Sequence, residues 1–438
     1  MERTLISDAP RMIGQYVKLA GWVNSRRDHG KLIFIDLRDR TGVVQVVVIP
    51  DKESAYQNAK DVRSEFVVEI EGLVKERPGG QSKEDRVGKI ELEAAKITVI
   101  SRVEAELPFD VAKNELDVNL NTLLDNRNLV LRNKKINDIF KVYAELLKSY
   151  GDAMRERQFR EIKTPKIVSA ATEGGANFFK IRYFDRDAYL AQSPQFYKQA
   201  GVGAFERVFE VGSVFRAEPH FTTRHVNEII MLDAEMGFID SFSDVMDQLE
   251  FVMRRISSDI SQNCKEELVE YSGEILVPEK FPRIRLTEAL EILEKEYGKK
   301  SEDIDIDPEG ERLICEWAKK THGSDFVFLT HYPVSVRPFY SMPSEDGQFT
   351  ETFDLIFKGV EIASGGQRIH HYEQLKNNII KFGLKPEDFS DYLEIFKLGM
   401  PAHGGWGLGS ERIVQKILSL DSVKEAILFP RDVKRITP

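Results

Sequence analysis

Between Tyr16 and Ile100 apolar residues recur at every second position, and from Ile136 onward that period is lost. This change of period constrains the fold more than any other feature of the chain. A two-residue period places alternate side chains on one face of a strand. Five such runs, Tyr16–Val23, Leu32–Leu37, Val43–Ile49, Phe66–Leu73 and Lys89–Ile100, are rich in β-branched residues. Asp-His-Gly, Thr-Gly and Pro-Gly-Gly punctuate them. Residues 104–130 follow, beginning with the acidic, aperiodic Glu104–Asn121 that suits a hinge. Then Ile136, Ile139, Phe140, Tyr143 and Leu147 fall at helical spacing, and a strand-like Ile162-Lys163-Thr164-Pro165 comes next. The remainder mixes strands and helices without regular alternation, which argues for an α+β fold over a doubly wound sheet. Lys265–Asp307 reads as helical insertion material. No internal repeat is found. The expected organisation is a barrel over 1–103, a hinge over 104–130 and a larger α+β domain over 131–438.

Five strands of this size fit a small closed barrel of the OB type. In Leu32–Leu37, alternation sends Ile33, Ile35 and Leu37 to the barrel core and Phe34 and Asp36 to the wetter face. An aromatic on that face either stacks a nucleic-acid base or packs under a loop, and composition alone leaves both open. Gln45 on the next strand, with Arg26 and Arg27 nearby, adds hydrogen-bonding groups and charge.

The 438 residues are 42% hydrophobic, enough for two or three domains. With 62 Lys+Arg against 72 Asp+Glu, the net charge is -10. Any contact with nucleic acid must therefore be local. Cys264 and Cys315 lie far apart without metal-ligand spacing and read as free thiols in a reducing compartment. No basic-then-apolar leader and no apolar run of membrane length is seen, so a cytoplasmic protein with no membrane contact is expected.

Two distant arginines carry the chemistry. One lies in Phe215-Arg216-Ala217-Glu218, ahead of Thr223-Arg224-His225. The other closes Gly405-Trp406-Gly407-Leu408-Gly409-Ser410-Glu411-Arg412. Neither pattern is a Walker loop or a dinucleotide fingerprint. Alone, Arg-Ala-Glu could be a surface salt-bridge cluster, and Gly-x-Gly-x-x-Arg is a weak pattern. Together and in this order they resemble motifs 2 and 3 of the class II aminoacyl-tRNA synthetases. The resemblance implies that Arg216 grips the α-phosphate of ATP and the reacting carboxylate, neutralising the repulsion between them. It implies that Glu218 reads the adenine amino group, that Arg224 and His225 hold the outer phosphates, and that Arg412 holds phosphate. Gly407 and Gly409 would let ATP approach the backbone closely. Many class II enzymes carry an aromatic where this chain has Ile229, so adenine stacks either between Ile229 and Arg412 or on a partner from elsewhere. Pro165 matches the motif 1 proline of a homodimer interface.

Gln192-Ser193-Pro194-Gln195-Phe196-Tyr197-Lys198-Gln199 and Ser364-Gly365-Gly366-Gln367-Arg368 resemble two signatures of the aspartyl family. Lys198 and Arg368 would supply paired cationic donors for the side-chain carboxylate of L-aspartate. Asp233 would hold Lys198, with Gln195 and Ser364 lining the same pocket. Asparagine would leave the two cations buried without an anion. Glu173 matches a loop residue that contacts the substrate α-amino group. Glu361 and Ser364 match positions that bind Mg²⁺, a hard cation suited to such oxygens, and Asp354 is a second carboxylate candidate. Adjacent histidines on one segment usually point apart, so His370 and His371 are assigned no metal.

Gly21-Trp22-Val23-Asn24-Ser25-Arg26-Arg27-Asp28-His29-Gly30, running on to Gln45, resembles the anticodon-binding barrel of aspartyl-tRNA synthetases. That resemblance implies tRNA contacts by Arg27, Phe34 and Gln45, with stacking worth roughly 1–3 kcal/mol per base. His29, and Gly80 in Pro78-Gly79-Gly80, stand where relatives tolerant of both tRNA(Asp) and tRNA(Asn) differ from discriminating ones. The likeness runs from Gly21 to Phe429-Pro430-Arg431-Asp432. It best fits the shorter archaeal and eukaryote-type catalytic domain, although the barrel wording is nearer the bacterial form. Three rivals remain: an asparaginyl-tRNA synthetase, a noncatalytic tRNA-binding paralogue and an asparagine synthetase. Lys198 and Gly399-Met400-Pro401-Ala402-His403-Gly404-Gly405 argue against the first, and the retention of both arginines against the second. The barrel would have no use in the third.

Overall fold

The computed structural model describes residues 1–78, 87–169, 177–219, 225–301 and 304–438. The chain forms two compact units: residues 1–118 with 132–134, and residues 119–131 with 135–438.

In the first unit, β1 (Tyr16–Asp28), β2 (Ile33–Asp39), β3 (Gly42–Val48), β4 (Val67–Glu76) and β5 (Ile90–Ser101) close a barrel in the order β1-β2-β3-β5-β4. All pairs are antiparallel except β3–β5. Ile33, Ile35 and Leu37 are wholly buried, and Phe34 and Asp36 lie on the other face, as the alternation requires. The helix Glu53–Asp61 between β3 and β4 was not foreseen. Its buried face is only Ala55 and Ala59, one turn apart, too small a stripe to stand out in sequence.

The second unit is built on an eight-stranded sheet. Its strands are β6 (Arg160–Glu161), β10 (Arg207–Phe215), β11 (Glu228–Gly237), β12 (Arg283–Arg285), β13 (Phe326–Thr330), β14 (Thr352–Phe357), β15 (Val360–Arg368) and β16 (His403–Gly409). They run in the order β12-β13-β14-β15-β16-β11-β10-β6, antiparallel except at the two edges. A separate sheet joins β7 (Ile167–Val168), β8 (Lys180–Tyr183) and β9 (Arg186–Leu190). The helices Lys134–Glu156 and Phe242–Asn263 cover one face of the large sheet. Ser241 and Asp244 form a capping box that starts the second of these helices.

Three details differ from the sequence reading. The buried stripe of Lys134–Glu156 is Ile139, Val142, Leu146, Tyr150 and Ala153, rotated from the expected one, with Phe140, Tyr143 and Leu147 packed at its flank. Both stripes satisfy helical spacing, and the sheet decides which is covered. The strand expected at Ile162–Pro165 lies at Arg160–Glu161, because Thr164 is instead held by the Glu210 carboxylate. Lys265–Asp307 is not helical insertion throughout. It contains the helices Lys265–Glu270 and Leu286–Tyr297, but also β12, an edge strand of the main sheet. A three-residue strand flanked by two arginines is too short to show a period.

The centre of this sheet depends on missing side chains. Trp406 is fully buried against the helices, opposite Ala234 on β11 and Gly365 on β15, whose small size admits the indole. On the other face of β16, a Cβ at Gly405 would overlap the Ala234 carbonyl oxygen and the Glu235 carboxylate. Gly405→Ala should therefore lower stability by about 1–3 kcal/mol or more. Urea unfolding measures it, and an unchanged midpoint would refute the packing.

Candidate active site

One cavity of 260 Å³ lies over β11, β16 and β15. The register builds it in rows. Asp233, Gly407 and Ser364 face one another across the three strands, and Glu235, Gly405 and Gly366 form the next row. The middle strand contributes only glycines to these two rows, so the charged side chains of the outer strands look into a trough.

At one end stand the two arginines. The Arg216 backbone N–H donates to the Asn227 carbonyl, and the Asn227 side chain donates back to the Arg216 carbonyl at 2.7 Å. Both of its backbone groups are thus fixed. Among the described residues its guanidinium has no hydrogen bond or ion pair, and it lines the cavity. Arg412 sits in the first turn of the helix Ser410–Ile417 and donates to the Glu361 carbonyl at 2.8 Å. Its neighbour Glu411, missed in the sequence, is buried and accepts from the Ile230 N–H at 2.9 Å, locking that helix to β11. Glu218 and His225 both line the cavity, 3.3 Å apart. Ile229 lines it too, on the strand that follows. Gly409 is open, since nothing comes within 3.8 Å of a Cβ placed there. At Gly407 only the tip of Met231 would interfere, at 2.9 Å.

At the other end the sequence expectation needs correction. Lys198 and Arg368 are both buried, but neither waits for an anion. Lys198 Nζ donates to Asp233 Oδ1 at 2.9 Å and to the Trp406 carbonyl at 2.8 Å. Arg368 Nε donates to Glu235 Oε1 at 3.0 Å, and Glu235 Oε2 is 3.5 Å from Lys198. Two cations face two carboxylates, so a neutral ligand would not strand them. Glu235 escaped notice, although Asp233 and Glu235 stand two apart on a strand and must share a face. Burial alone would raise the Glu235 carboxyl, yet Arg368 and Lys198 hold it below its usual value. Burial pushes Asp233 up against the pull of Lys198. Arg368 NH2 bonds the Gly405 carbonyl at 3.0 Å, and its NH1 makes no hydrogen bond among the described residues.

Glu361 and Ser364, three apart on a strand, would alternate to opposite faces. A bulge in β15 prevents this: Leu355 pairs with Ala363 and Ile356 with Glu361, skipping Ile362. Both side chains then line the cavity. Asp354 stands opposite Ser364 and keeps a buried, unpartnered Oδ1. Burial and then the Asp354 charge raise the Glu361 carboxyl above its usual value. Glu361, which has Arg412 3.8 Å from its Oε2, Asp354 with its bare Oδ1 and the Ser364 hydroxyl are hard oxygens of the kind a divalent cation takes. Among the described residues no group of three or more His, Cys, Asp and Glu could hold a metal. The rest of a coordination shell would have to come from ligand oxygens and water. The expectation omitted Arg337, which lies 2.7 Å from Asp354 Oδ2 and donates to Ser364 Oγ at 2.8 Å. The rings of His370 and His371 do not point apart. They lie 4.1 Å from each other, because the chain has left β15 and alternation no longer applies.

In the barrel, Phe34 lies between Arg27 and Val47 on the outer face, partly buried. His29 meets its ring edge-on at 5.6 Å. Arg27 donates to Asp36 at 3.1 Å, and Gln45 to Glu91 at 3.3 Å. Glu173, Arg224 and Gly80 lie outside the described residues. Burial pushes the Cys264 and Cys315 thiols up to about 11 and about 12, so neither is a nucleophile near neutral pH.

Residues 119–433 match the family of class II tRNA synthetases (D, K and N), and residues 17–100 match an OB-fold nucleic acid binding domain. The chain belongs to the class II tRNA synthetases. An aspartate–tRNA(Asp/Asn) ligase of Deinococcus radiodurans is 44% identical over 450 residues, covering 100% of this chain and 99% of that one. An aspartate–tRNA(Asp) ligase of Pyrococcus abyssi is 42% identical, covering 97% of each. Among solved structures, the asparaginyl-tRNA synthetase of Pyrococcus horikoshii with asparaginyl-adenylate superposes with a TM-score of 0.92 at 32% identity, covering 100% of both chains. The aspartyl-tRNA synthetase of Entamoeba histolytica gives 0.89 at 30% identity, covering 100% of this chain and 93% of that one. The synthetase is thus an α+β enzyme with an OB barrel, and ATP is its expected co-substrate. No helix among the described residues is long and apolar enough to cross a membrane.

Glu235→Gln would leave Arg368 buried beside a neutral amide. It should destabilise the synthetase by about 3–5 kcal/mol near neutral pH. A depressed carboxyl contributes stability above its unfolded value and loses it as pH falls through the native one. The gap between wild type and variant should therefore narrow below the usual value of 4.5. Denaturant unfolding at several pH values measures this, and a pH-independent gap would contradict it.

Proposed function

We propose that this synthetase activates L-aspartate with ATP and transfers the aspartyl group to the 3′ end of tRNA(Asp), and of tRNA(Asn) as well. The observation that carries the reading is the Arg216 guanidinium, fixed through both backbone groups and without a hydrogen bond or ion pair among the described residues, in the cavity that Lys198 and Arg368 also line. Attack of a carboxylate on the α-phosphate brings like charges together. A preorganised guanidinium between them lowers that barrier, and no protein nucleophile is required. Glu218, Arg224 and His225 would hold the adenine and outer phosphates, with Gly409 and Arg412 along the nucleotide. Arg368 NH1, without a hydrogen bond among the described residues, would meet the side-chain carboxylate beside Lys198, while Gln195, Ser364 and Glu173 complete the amino-acid pocket. Mg²⁺ held by Glu361 and Ser364 would draw charge off the phosphates. We place the enzyme in the cytoplasm as a homodimer, with the exposed Pro165 at the two-fold interface.

The neutrality of Lys198–Asp233 and Arg368–Glu235 favours one other reading, asparagine as substrate, and the high structural likeness to an asparaginyl enzyme agrees with it. The full-length likeness to aspartate ligases outweighs both. Pyrophosphate exchange with each amino acid decides: aspartate should be preferred, and a preference for asparagine would reverse the assignment. Arg216→Ala should cut exchange about 10²–10³-fold, the loss of one preorganised donor. Near-normal exchange would remove Arg216 from the mechanism.

In the barrel, Phe34 offers a stacking surface, Arg27 and Gln45 offer polar contacts, and His29 abuts the Phe34 ring. Asp and Asn anticodons differ at the third anticodon base. His29, with the small residue Gly80, would admit both. Charging of tRNA(Asn) should then run within about tenfold of tRNA(Asp), a gap of ~1.4 kcal/mol. His29→Leu should widen it. A thousandfold wild-type preference that His29→Leu leaves unchanged would show His29 to be an ordinary turn residue.

A further inference from the structure

We infer that Gln199 and His403 are positioning residues that set the orientation of the Gln195 amide, and through it amino-acid recognition. The inference rests on the aspartate-pocket reading above. Every step follows from which atoms can donate. His403 is fully buried, and its Nδ1 lies 2.8 Å from the Pro401 carbonyl. A carbonyl only accepts, so Nδ1 carries the proton. Burial depresses the ring's basicity, so the other nitrogen, Nε2, is a bare acceptor. Gln199 lies 2.8 Å from that nitrogen and must present its NH₂ there.

The opposite edge of Gln199 is then its carbonyl oxygen. It accepts from Gln195 Nε2 and from the Tyr392 hydroxyl, each at 3.0 Å. Gln195 therefore turns its NH₂ inward, towards Gln199 and, at 3.4 Å, Glu235 Oε2. Its Oε1 is left near Arg368 NH2, 3.5 Å away, on a residue that lines the cavity. One backbone carbonyl, Pro401, so acts through two intervening side chains to fix the amide polarity that the longer contacts to Glu235 and Arg368 also favour. Gln195, Gln199, Tyr392 and His403 are all buried, so water cannot substitute for a missing member. The run Gly399–Gly405 thereby gains a role beyond lining the sheet.

The experiment compares wild type, Gln199→Leu and His403→Leu in pyrophosphate exchange, with aspartate and ATP varied separately. Gln199→Leu removes both edges of the relay, and His403→Leu removes the acceptor that orients it. Each should raise the aspartate KM by about tenfold, the worth of one misplaced hydrogen bond, with the ATP KM unchanged. A merely structural role would lower kcat through a smaller active fraction and leave both KM values alone, which would overturn the inference. If Gln199→Leu does not fold, the aspartate KM of His403→Leu decides. Failure of wild type to prefer aspartate would instead refute the substrate reading, a separate outcome seen before any variant is made.

Discussion

The active-site sheet depends on the close antiparallel approach of β11, β16 and β15 with glycine at the middle. Where Gly405 and Gly407 stand, any larger side chain would meet a neighbour's carbonyl, carboxylate or methyl group. The missing atoms make a trough, and the trough sets everything else. Asp233 and Glu235 rise from one wall, Ser364 and Arg368 from the other. On the reverse face the same strand carries Trp406, buried against helices that hold the sheet rigid. Interiors packed to this density do not yield by fractions of an ångström without cost. The charged groups are therefore held where the sheet puts them.

Electrostatics divides the trough into two environments. Around Lys198 and Arg368, two cations and two carboxylates compensate one another. Such a network tolerates burial because each cation has a carboxylate beside it. Where Arg216 and Arg412 line the cavity, the balance is incomplete. Arg216 has no partner among the described residues, Asp354 keeps a bare oxygen, and Glu361 is pushed up by burial and by Asp354. Unmet charge of this kind is costly in the free protein and marks a place where a ligand supplies what is lacking. A polyanion with a divalent cation would meet both needs at once.

Much of this could be read from particular residues. Phe215-Arg216-Ala217-Glu218 and Gly405–Arg412 each read weakly alone, and their order together pointed to residues that the structure brings to one cavity, among them Arg216, Glu218, Gly407, Gly409 and Arg412. Ile33, Ile35 and Leu37 set the barrel core, because a period of two leaves no choice of face. The failures have equally local causes. The helix Glu53–Asp61 buries only alanines, and β12 is three residues long. Glu235 looked like one more charge until a strand carried it beside Asp233, and Arg337 lies far in sequence from the Asp354–Ser364 pair it joins.

By itself the sequence marked the five barrel strands, many of the side chains that line the cavity and the α+β character of the remainder. Those properties depend on period, turn chemistry and motif spacing, all local along the chain. The pairing of Lys198 with Asp233 was expected, but only the tertiary structure showed that Arg368 pairs with Glu235, so a cation that looked open to a ligand already has a carboxylate beside it. It also decided, through one extra residue at Ile362, that Glu361 and Ser364 look into the same cavity. Electrostatic pairing acts through space, and a bulge shifts alternation by one. The two-residue spacing of Asp233 and Glu235 gives their shared face but not their partners, and the bulge leaves no mark in the spacing at all.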